Sequence, residues 1–244
     1  MADKKIKVGI IGTGGISDAH MAGYKALDQV EVYAAMDMDG QRVQKFGEKH
    51  GIKHVFTDLD QMLALEELDA VSVCTWNNSH APNSIRALKA GKHVLCEKPM
   101  AMNAKEATEM EKVARETGKL LMIGFVRRFG EDAGILKEYI IKGYLGDIYF
   151  AKTSYLRRVG NPGGWFADIK RSGGGPLIDL GVHVIDMVRY LMGKPKAVSV
   201  WGATFNNLGL KDHVKGISRY KVADYNPDHC DVEDMAVGMI RFDN

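Results

Sequence analysis

Cysteine is scarce in this chain. There are three, Cys74, Cys96 and Cys230, with no Cys-x-x-Cys pair among them. An odd, scattered set excludes a disulfide framework and fits a reducing compartment. Long apolar runs are missing too. The first, residues 6–11, starts almost at the amino terminus and is too short for a signal-peptide core or a spanning helix. It reads as a buried strand, so the expected location is the cytoplasm, with no membrane partner. Charge of one sign is also absent: 33 Lys and Arg stand against 31 Asp and Glu, a net +2. That leaves no electrostatic footprint for nucleic acid or an anionic membrane. No internal repeat appears. No clustered set of Cys, His and carboxylate ligands appears either, so no metal is expected.

What remains is ordinary soluble composition: 45% hydrophobic and 26% charged residues in 244. That length builds one large domain or two small ones. The thirteen methionines and the cysteines read as core filling. Over residues 1–125, short β-branched runs at 6–11, 31–37, 70–75, 93–97 and 120–125, with a weaker one around Val55-Phe56, alternate with helix-like stretches at 16–26, 41–50, 59–65, 81–90 and 104–116. The last helix opens on Asn103 with Glu106 three residues on, a capping-box start, and stops at Gly118. This rhythm predicts an α/β fold, a doubly wound parallel sheet with right-handed crossovers. Beyond residue 125 the rhythm changes. A helix at 132–142, a long strand at 147–158, a Gly-rich stretch, a helix at 177–191 and strands at 196–206 and 235–242 predict an α+β domain over 126–244. Its sheet is expected to be large, open and mostly antiparallel. Residues 211–231 read as a polar loop insertion. The stop at Asp243-Asn244, straight after a strand, reads as truncated.

The run Gly12-Thr13-Gly14-Gly15-Ile16 sits between the first strand and the first helix. Gly12 allows the tight turn, and Gly14 lets backbone approach a pyrophosphate at the helix N-terminus. A third fingerprint glycine is absent, because Ser17 stands there; it is small enough for close helix–strand packing. Such a motif alone is also compatible with a plain strand–helix turn. Asp37, about twenty residues on at the end of the second strand, accepts bonds from adenosine ribose hydroxyls. It repels a 2′-phosphate, and no base is apparent beside it. NAD is therefore expected, with NADP the alternative.

Two further motifs carry the chemistry. Cys96-Glu97-Lys98-Pro99 ends the fifth strand, where ligands of open α/β sheets bind. A strand-end Lys there is either a solvated residue or a reacting group. Pro99 admits a cis bond. In the run 173–183, three glycines and Pro176 start a helix on which Asp179 and His183, four apart, share a face. They suit a general acid/base with its carboxylate; equally, they suit a buried pair satisfying each other. Tyr155, Arg157, Arg158 and Trp165 precede that helix. They offer stacking and hydrogen bonds to a sugar or a phosphate, or simply pack and solvate the loop.

Taken together, the Gly12 loop, Cys74-Thr75-Trp76-Asn77 with His80, Glu97-Lys98-Pro99, Gly124-Phe125 with Arg127-Arg128-Phe129, and the 173–183 run resemble the glucose–fructose oxidoreductase/inositol dehydrogenase (Gfo/Idh/MocA) family, in its order and over nearly the whole chain. The resemblance implies a Rossmann domain followed by an α+β domain, with Lys98, Asp179 and His183 as the catalytic group. It implies a cofactor site from Gly12, Thr13, Gly14, Gly15, Ile16, Asp37, Thr75, Trp76, Asn77, His80, Glu97 and Lys98. Arg127, Tyr155, Arg157 and Trp165 join the catalytic group in holding the substrate, a sugar, polyol or inositol. The family usually has Pro at the place of Trp76, runs on for roughly another hundred residues, and forms homo-oligomers through the second-domain sheet. Expected is hydride transfer between a secondary alcohol and the nicotinamide. Two alternatives stand: a glycoside hydrolase using transient oxidation by NAD, and a non-catalytic dinucleotide-binding sensor.

Overall fold

The structure is a computed structural model that describes residues 4–157, 161–208 and 229–244. Arg158 and residues 211–228 of the expected loop insertion lie outside the described residues. The chain divides into two compact units, Met1–Gly124 and Phe125–Asn244.

In the first unit, β1 (Ile6–Ile11), α1 (Ser17–Lys25), β2 (Val30–Met36), α2 (Gly40–His50), β3 (His54–Phe56), α3 (Leu59–Leu63), β4 (Ala70–Val73), α4 (His80–Lys89), β5 (His93–Cys96), α5 (Ala104–Thr117) and β6 (Leu121–Ile123) alternate as expected. The strands form one parallel sheet in the order β3-β2-β1-β4-β5-β6. This is the doubly wound order of dinucleotide-binding domains, with its switch point between β1 and β4. Alternate residues feed two cores. Ile11, Val71, Val73 and Val94 pack on one face with Leu88 and Met110; Ile10 and Ala35 pack on the other with Val43 and Phe46. Burial on both faces is why the strands read as unbroken apolar runs.

Helix ends follow the local chemistry. The Asn103 side chain accepts from Glu106 N at 3.0 Å, and Glu106 returns a bond to Met102 N at 3.1 Å. Gly118, at φ 65°, ends that helix in the left-handed conformation. The strands β4, β5 and β6 stop two, one and two residues short of the sequence expectation. The residues beyond still donate one bond each: Cys74 N to Ile11 O, Glu97 N to Val73 O, and Gly124 N to Cys96 O, at 2.7, 3.0 and 2.8 Å. The chain then leaves the ladder into the crevice carrying Thr75 and Lys98.

The second unit holds α6 (Glu131–Ile141), α7 (Ile169–Ser172), a π-helical turn Leu177–Gly181 running into α8 (Val182–Leu191), and β7 (Ala197–Phe205) paired antiparallel with β8 (Met235–Phe242). The antiparallel character is as expected, and the sheet has two strands among the described residues. The strand expected at 147–158 is corrected: residues 148–157 form no ladder. An extended, alternating segment becomes a strand only when its backbone bonds to a partner edge, and residues 148–157 join neither edge of the β7–β8 pair. Most side chains of this ribbon are exposed, Val200, Trp201 and Met239 among them. Among the described residues no helix is long and apolar enough to cross a membrane.

Candidate active site

Gly12 ends β1 at φ 87°, where a Cβ would meet the Cys74 carbonyl oxygen and the Thr75 methyl at 2.9 Å. The turn and the close approach of β4 both demand glycine there. Gly14 and Gly15 differ. A Cβ at either meets no protein atom within 4 Å. Packing within the protein therefore gives no reason for glycine at these two positions, and the backbone there is open to approach. Ser17 is fully buried and donates to Gly14 O at 2.5 Å, so the missing third glycine is replaced by a loop-closing hydroxyl.

Asp37 ties this loop to the end of β2. Its Oδ2 accepts from Thr13 N at 2.8 Å and from Thr13 Oγ1 at 3.0 Å, and its Oδ1 accepts from Asp39 N at 3.0 Å. A carboxylate has about four acceptor sites, so capacity remains for a ribose hydroxyl. Contrary to the sequence expectation, Asp37 has a basic neighbour. Arg42 on α2 places Nη1 3.7 Å from Asp37 Oδ1 and Nη2 3.4 Å from Asp39 Oδ2. Asp39 caps α2 through Arg42 N, which turns Arg42 back toward the strand end. The i,i+3 spacing from Asp39 was the available signal.

At the ends of β4 and β5, His80 is buried, with Nδ1 2.6 Å from Pro99 O and Nε2 3.1 Å from Thr75 O. Burial, working against these two carbonyls, lowers its pKa. The ring lies between the Thr75 loop and the Lys98-Pro99 loop, behind the expected cofactor surface, and when neutral donates to one of the two carbonyls at a time. Asn77 is likewise buried, whereas Ile16 and Trp76 are exposed. Trp76 sits at φ −68° and ψ 156°, a conformation proline adopts without change. The Lys98–Pro99 bond is cis. Glu97 lies nearly buried beside Lys98, its Oε2 accepting from Lys98 N at 3.2 Å and its Oε1 facing His20 Nε2 at 2.9 Å. Burial raises the Glu97 pKa, but the hydrogen bond and charge of His20, with the N–H and charge of Lys98, outweigh it and hold the group below its ordinary value. Cys96 is pushed up to about 12 by burial, as suits a core thiol.

The second unit gathers the expected substrate residues. Arg127 Nη2 donates to Tyr155 Oη at 3.2 Å, and both Arg127 and Arg157 lie about 6 Å from the Tyr155 ring centre, at 5.9 and 6.0 Å. Arg157 Nη1 is 3.2 Å from Asp179 Oδ2. Arg127, Tyr155, Arg157 and Asp179 are therefore one connected set. Trp165 stacks on Phe166 at 3.9 Å, the loop-packing reading. Asp179 lies inside the π turn, where Val182 N bonds Leu177 O five residues back. Such turns re-aim side chains and cluster at functional sites. Asp179 N bonds Gly175 O at 3.1 Å, which makes Pro176 the first helical residue, as its position after the glycines implied.

Two anchors of this helix were not visible in the sequence. Glu233 accepts from Gly175 N at 2.8 Å and Leu177 N at 3.2 Å, capping the helix start from 58 and 56 residues away. Arg128 forms a two-pronged pair with Asp186, with Nε to Oδ2 at 2.7 Å. Ligand atoms of Asp168, His229 and Asp231 also cluster within 4.8 Å. Their oxygens are engaged, however: Asp168 by Arg171 Nε at 2.7 Å and Lys170 N at 2.9 Å, and Asp231 by Ile169 N at 2.7 Å. They form a cap for α7.

A family model described as an oxidoreductase family with an NAD-binding Rossmann fold matches residues 6–125, and the GFO/IDH/MocA C-terminal domain matches residues 135–244. The chain belongs to the Gfo/Idh/MocA family. Within it, the D-glucoside 3-dehydrogenase of Escherichia coli is 37% identical over all of this chain and 69% of its own length. The glucose-6-phosphate 3-dehydrogenase of Bacillus subtilis is 36% identical over 76% of this chain and 53% of its own. The structure of an NAD-binding protein from Listeria innocua superposes with a TM-score of 0.80 at 29% identity, covering 98% of this chain and 64% of that one. The first unit is thus an NAD-binding Rossmann domain of an oxidoreductase family whose named members include sugar and inositol dehydrogenases.

Proposed function

We propose that this protein oxidises a secondary alcohol of a sugar with NAD, with C3 of a gluco-configured pyranoside the favoured position. The observation that carries the reading is the placement of the Gly12 loop, Asp37 and Lys98 at one edge of the parallel sheet, the carboxyl ends of β1, β2 and β5. Two relatives named as 3-dehydrogenases of glucose derivatives support the position. Residues 1–125 hold the dinucleotide and 126–244 the substrate.

When bound, NAD supplies the hydride acceptor. The glycine loop and the α1 N-terminus hold its pyrophosphate, and Asp37 its ribose. Thr75, Trp76, Asn77 and Glu97, with His80 behind them, shape the wall near the ring. Lys98 bonds the reacting oxygen and stabilises charge that develops there. His183 takes the hydroxyl proton, with Asp179 orienting it. Arg157 on Asp179 fixes that carboxylate; Arg127 and Tyr155 bond sugar hydroxyls, and Trp165 offers a ring face. The protein works in the cytoplasm, as its free thiols suit, and self-associates through the exposed β7–β8 ribbon.

The test is a panel of glucosides, free sugars and inositols with NAD and NADP, followed at the nicotinamide absorbance. Steady NADH formation with a glucoside, and a 3-keto product by NMR, is the expected result. Sugar release without net NADH would instead favour the hydrolase, and cofactor binding without turnover the sensor. Cofactor choice is tested at Asp37. Asp37→Ser removes the charge opposing a 2′-phosphate and frees Arg42 to meet it. The ratio of kcat/KM with NADP to that with NAD is expected to rise about 100-fold. An unchanged ratio removes Asp37 from cofactor selection.

A further inference from the structure

His20 lies outside every motif above. It is the fourth residue of α1, just over one turn past the glycine loop, yet its ring reaches across to the Lys98 loop. Nε2 is 2.9 Å from Glu97 Oε1, Nδ1 is 3.2 Å from Ser72 Oγ on β4, and Ser72 Oγ is 2.6 Å from Tyr24 Oη. The arrangement dictates its proton positions. An ionised Glu97 only accepts, so Nε2 carries a hydrogen and donates. With a neutral ring, Nδ1 accepts from Ser72, which accepts from Tyr24. With a charged ring, Nδ1 donates to Ser72, which donates to Tyr24. Every group is satisfied in both states, and only the Ser72 and Tyr24 hydroxyls turn.

Ser72 is fully buried and Glu97 nearly so. Leaving such a carboxylate without its donor is costly. Room for it is also made from β6, because a Cβ on Gly124 would stand 3.3 Å from Glu97 Oε1. Three elements are therefore shaped around one carboxylate next to the proposed reacting lysine.

We propose that His20 is a positioning residue: it holds the Glu97 carboxylate ionised and fixed beside Lys98, and so sets the charge environment in which Lys98 meets the substrate oxygen. This rests on the role given to Lys98 above. The titratable groups around Glu97 are His20 and Tyr24 on α1, Cys74 after β4, His80 on α4, and Cys96 and Lys98 at β5. Burial keeps Tyr24 and both thiols neutral, and lowers His80 toward neutrality. Among these groups His20 is the one whose side chain bonds Glu97 Oε1, and Lys98 is the one that gives its backbone N–H to Oε2.

A simple staple between α1 and the sheet would alter Tm alone. The discriminating measurement is the carboxyl-carbon NMR titration of Glu97, assigned with Glu97→Gln, in wild type, His20→Ala and His20→Gln. His20→Ala is expected to raise the Glu97 midpoint by about one pH unit, and His20→Gln, which keeps a donor, to recover part of it. The acid limb of the kcat/KM profile moves up with it, while KM changes less than about threefold. An unmoved Glu97 midpoint, or a superimposed pH profile with only Tm lowered, overturns the proposal. Should His20→Ala not fold, Ser72→Ala removes the Nδ1 partner, and a smaller shift in the same direction is expected; no shift overturns. If the wild type turns over no sugar, the reading of Lys98 fails, while the Glu97 titration still decides the role of His20.

Discussion

Replacing Lys98 by methionine is expected to cut kcat for sugar oxidation by about 10³, within the span general acid/base and electrostatic groups contribute. Methionine keeps an unbranched chain and loses the charge and the donors. The Kd for NADH, read by fluorescence titration, should stay within about threefold, because the pyrophosphate and ribose contacts belong to the Gly12 loop and to Asp37 at the ends of β1 and β2. A loss confined to kcat identifies a group that acts in the transition state; a matching rise in KM with kcat intact would mark Lys98 as a plain binding residue. His183→Ala should show the same split. Retained turnover in both variants sinks the proposed catalytic group.

The largest structural effect is expected at Gly175. An added Cβ there would stand 1.9 Å from the Glu233 carbonyl oxygen, which no pair of atoms tolerates. The main chain must move, and with it go two hydrogen bonds from Gly175 N and Leu177 N to the Glu233 carboxylate. Bonds to a charged acceptor are worth about 1.5–3 kcal/mol each, and overpacking adds about 1–3 kcal/mol. Gly175→Ala should therefore destabilise by about 3 kcal/mol or more in urea unfolding and abolish turnover, with NADH affinity retained. Glu233→Gln keeps an acceptor and the backbone contact, so its cost should be about 1 kcal/mol. If Gly175→Ala unfolds like the wild type, the close approach is wrong.

What sequence made legible was local. The central strands β1, β4 and β5 are short, largely buried apolar runs, and the α5 caps are written in Asn103, Glu106 and Gly118 within sixteen residues. The Gly12 loop, Asp37, Lys98 and the Asp179/His183 spacing were legible for the same reason: each motif is contiguous or spans one turn. The long-range partners were not. Glu233 meets Gly175, Asp186 meets Arg128, and Glu97 meets His20 across 58, 58 and 77 residues. No periodicity encodes such meetings. The segment 148–157 misled for the opposite reason, since alternation shows what a strand looks like and says nothing about an available edge. Arg42 lies one helical turn beyond Asp39, outside the strand-end run that carries Asp37, and only the start of α2 brings it back to that carboxylate.

The π turn has a consequence for how Asp179 and His183 are aimed. An α-helix that carries one surplus residue is out of phase with itself on either side of the surplus. Asp179, within the slip, takes its bearing from the Gly175–Glu233 anchor. His183, past it, takes its bearing from the Arg128–Asp186 clamp further along the same helix. The turn that bears Asp179 and the turn that bears His183 are therefore each set by a different distant partner, Glu233 for the first and Arg128 for the second, which ties the proposed catalytic pair to two remote stretches of the chain.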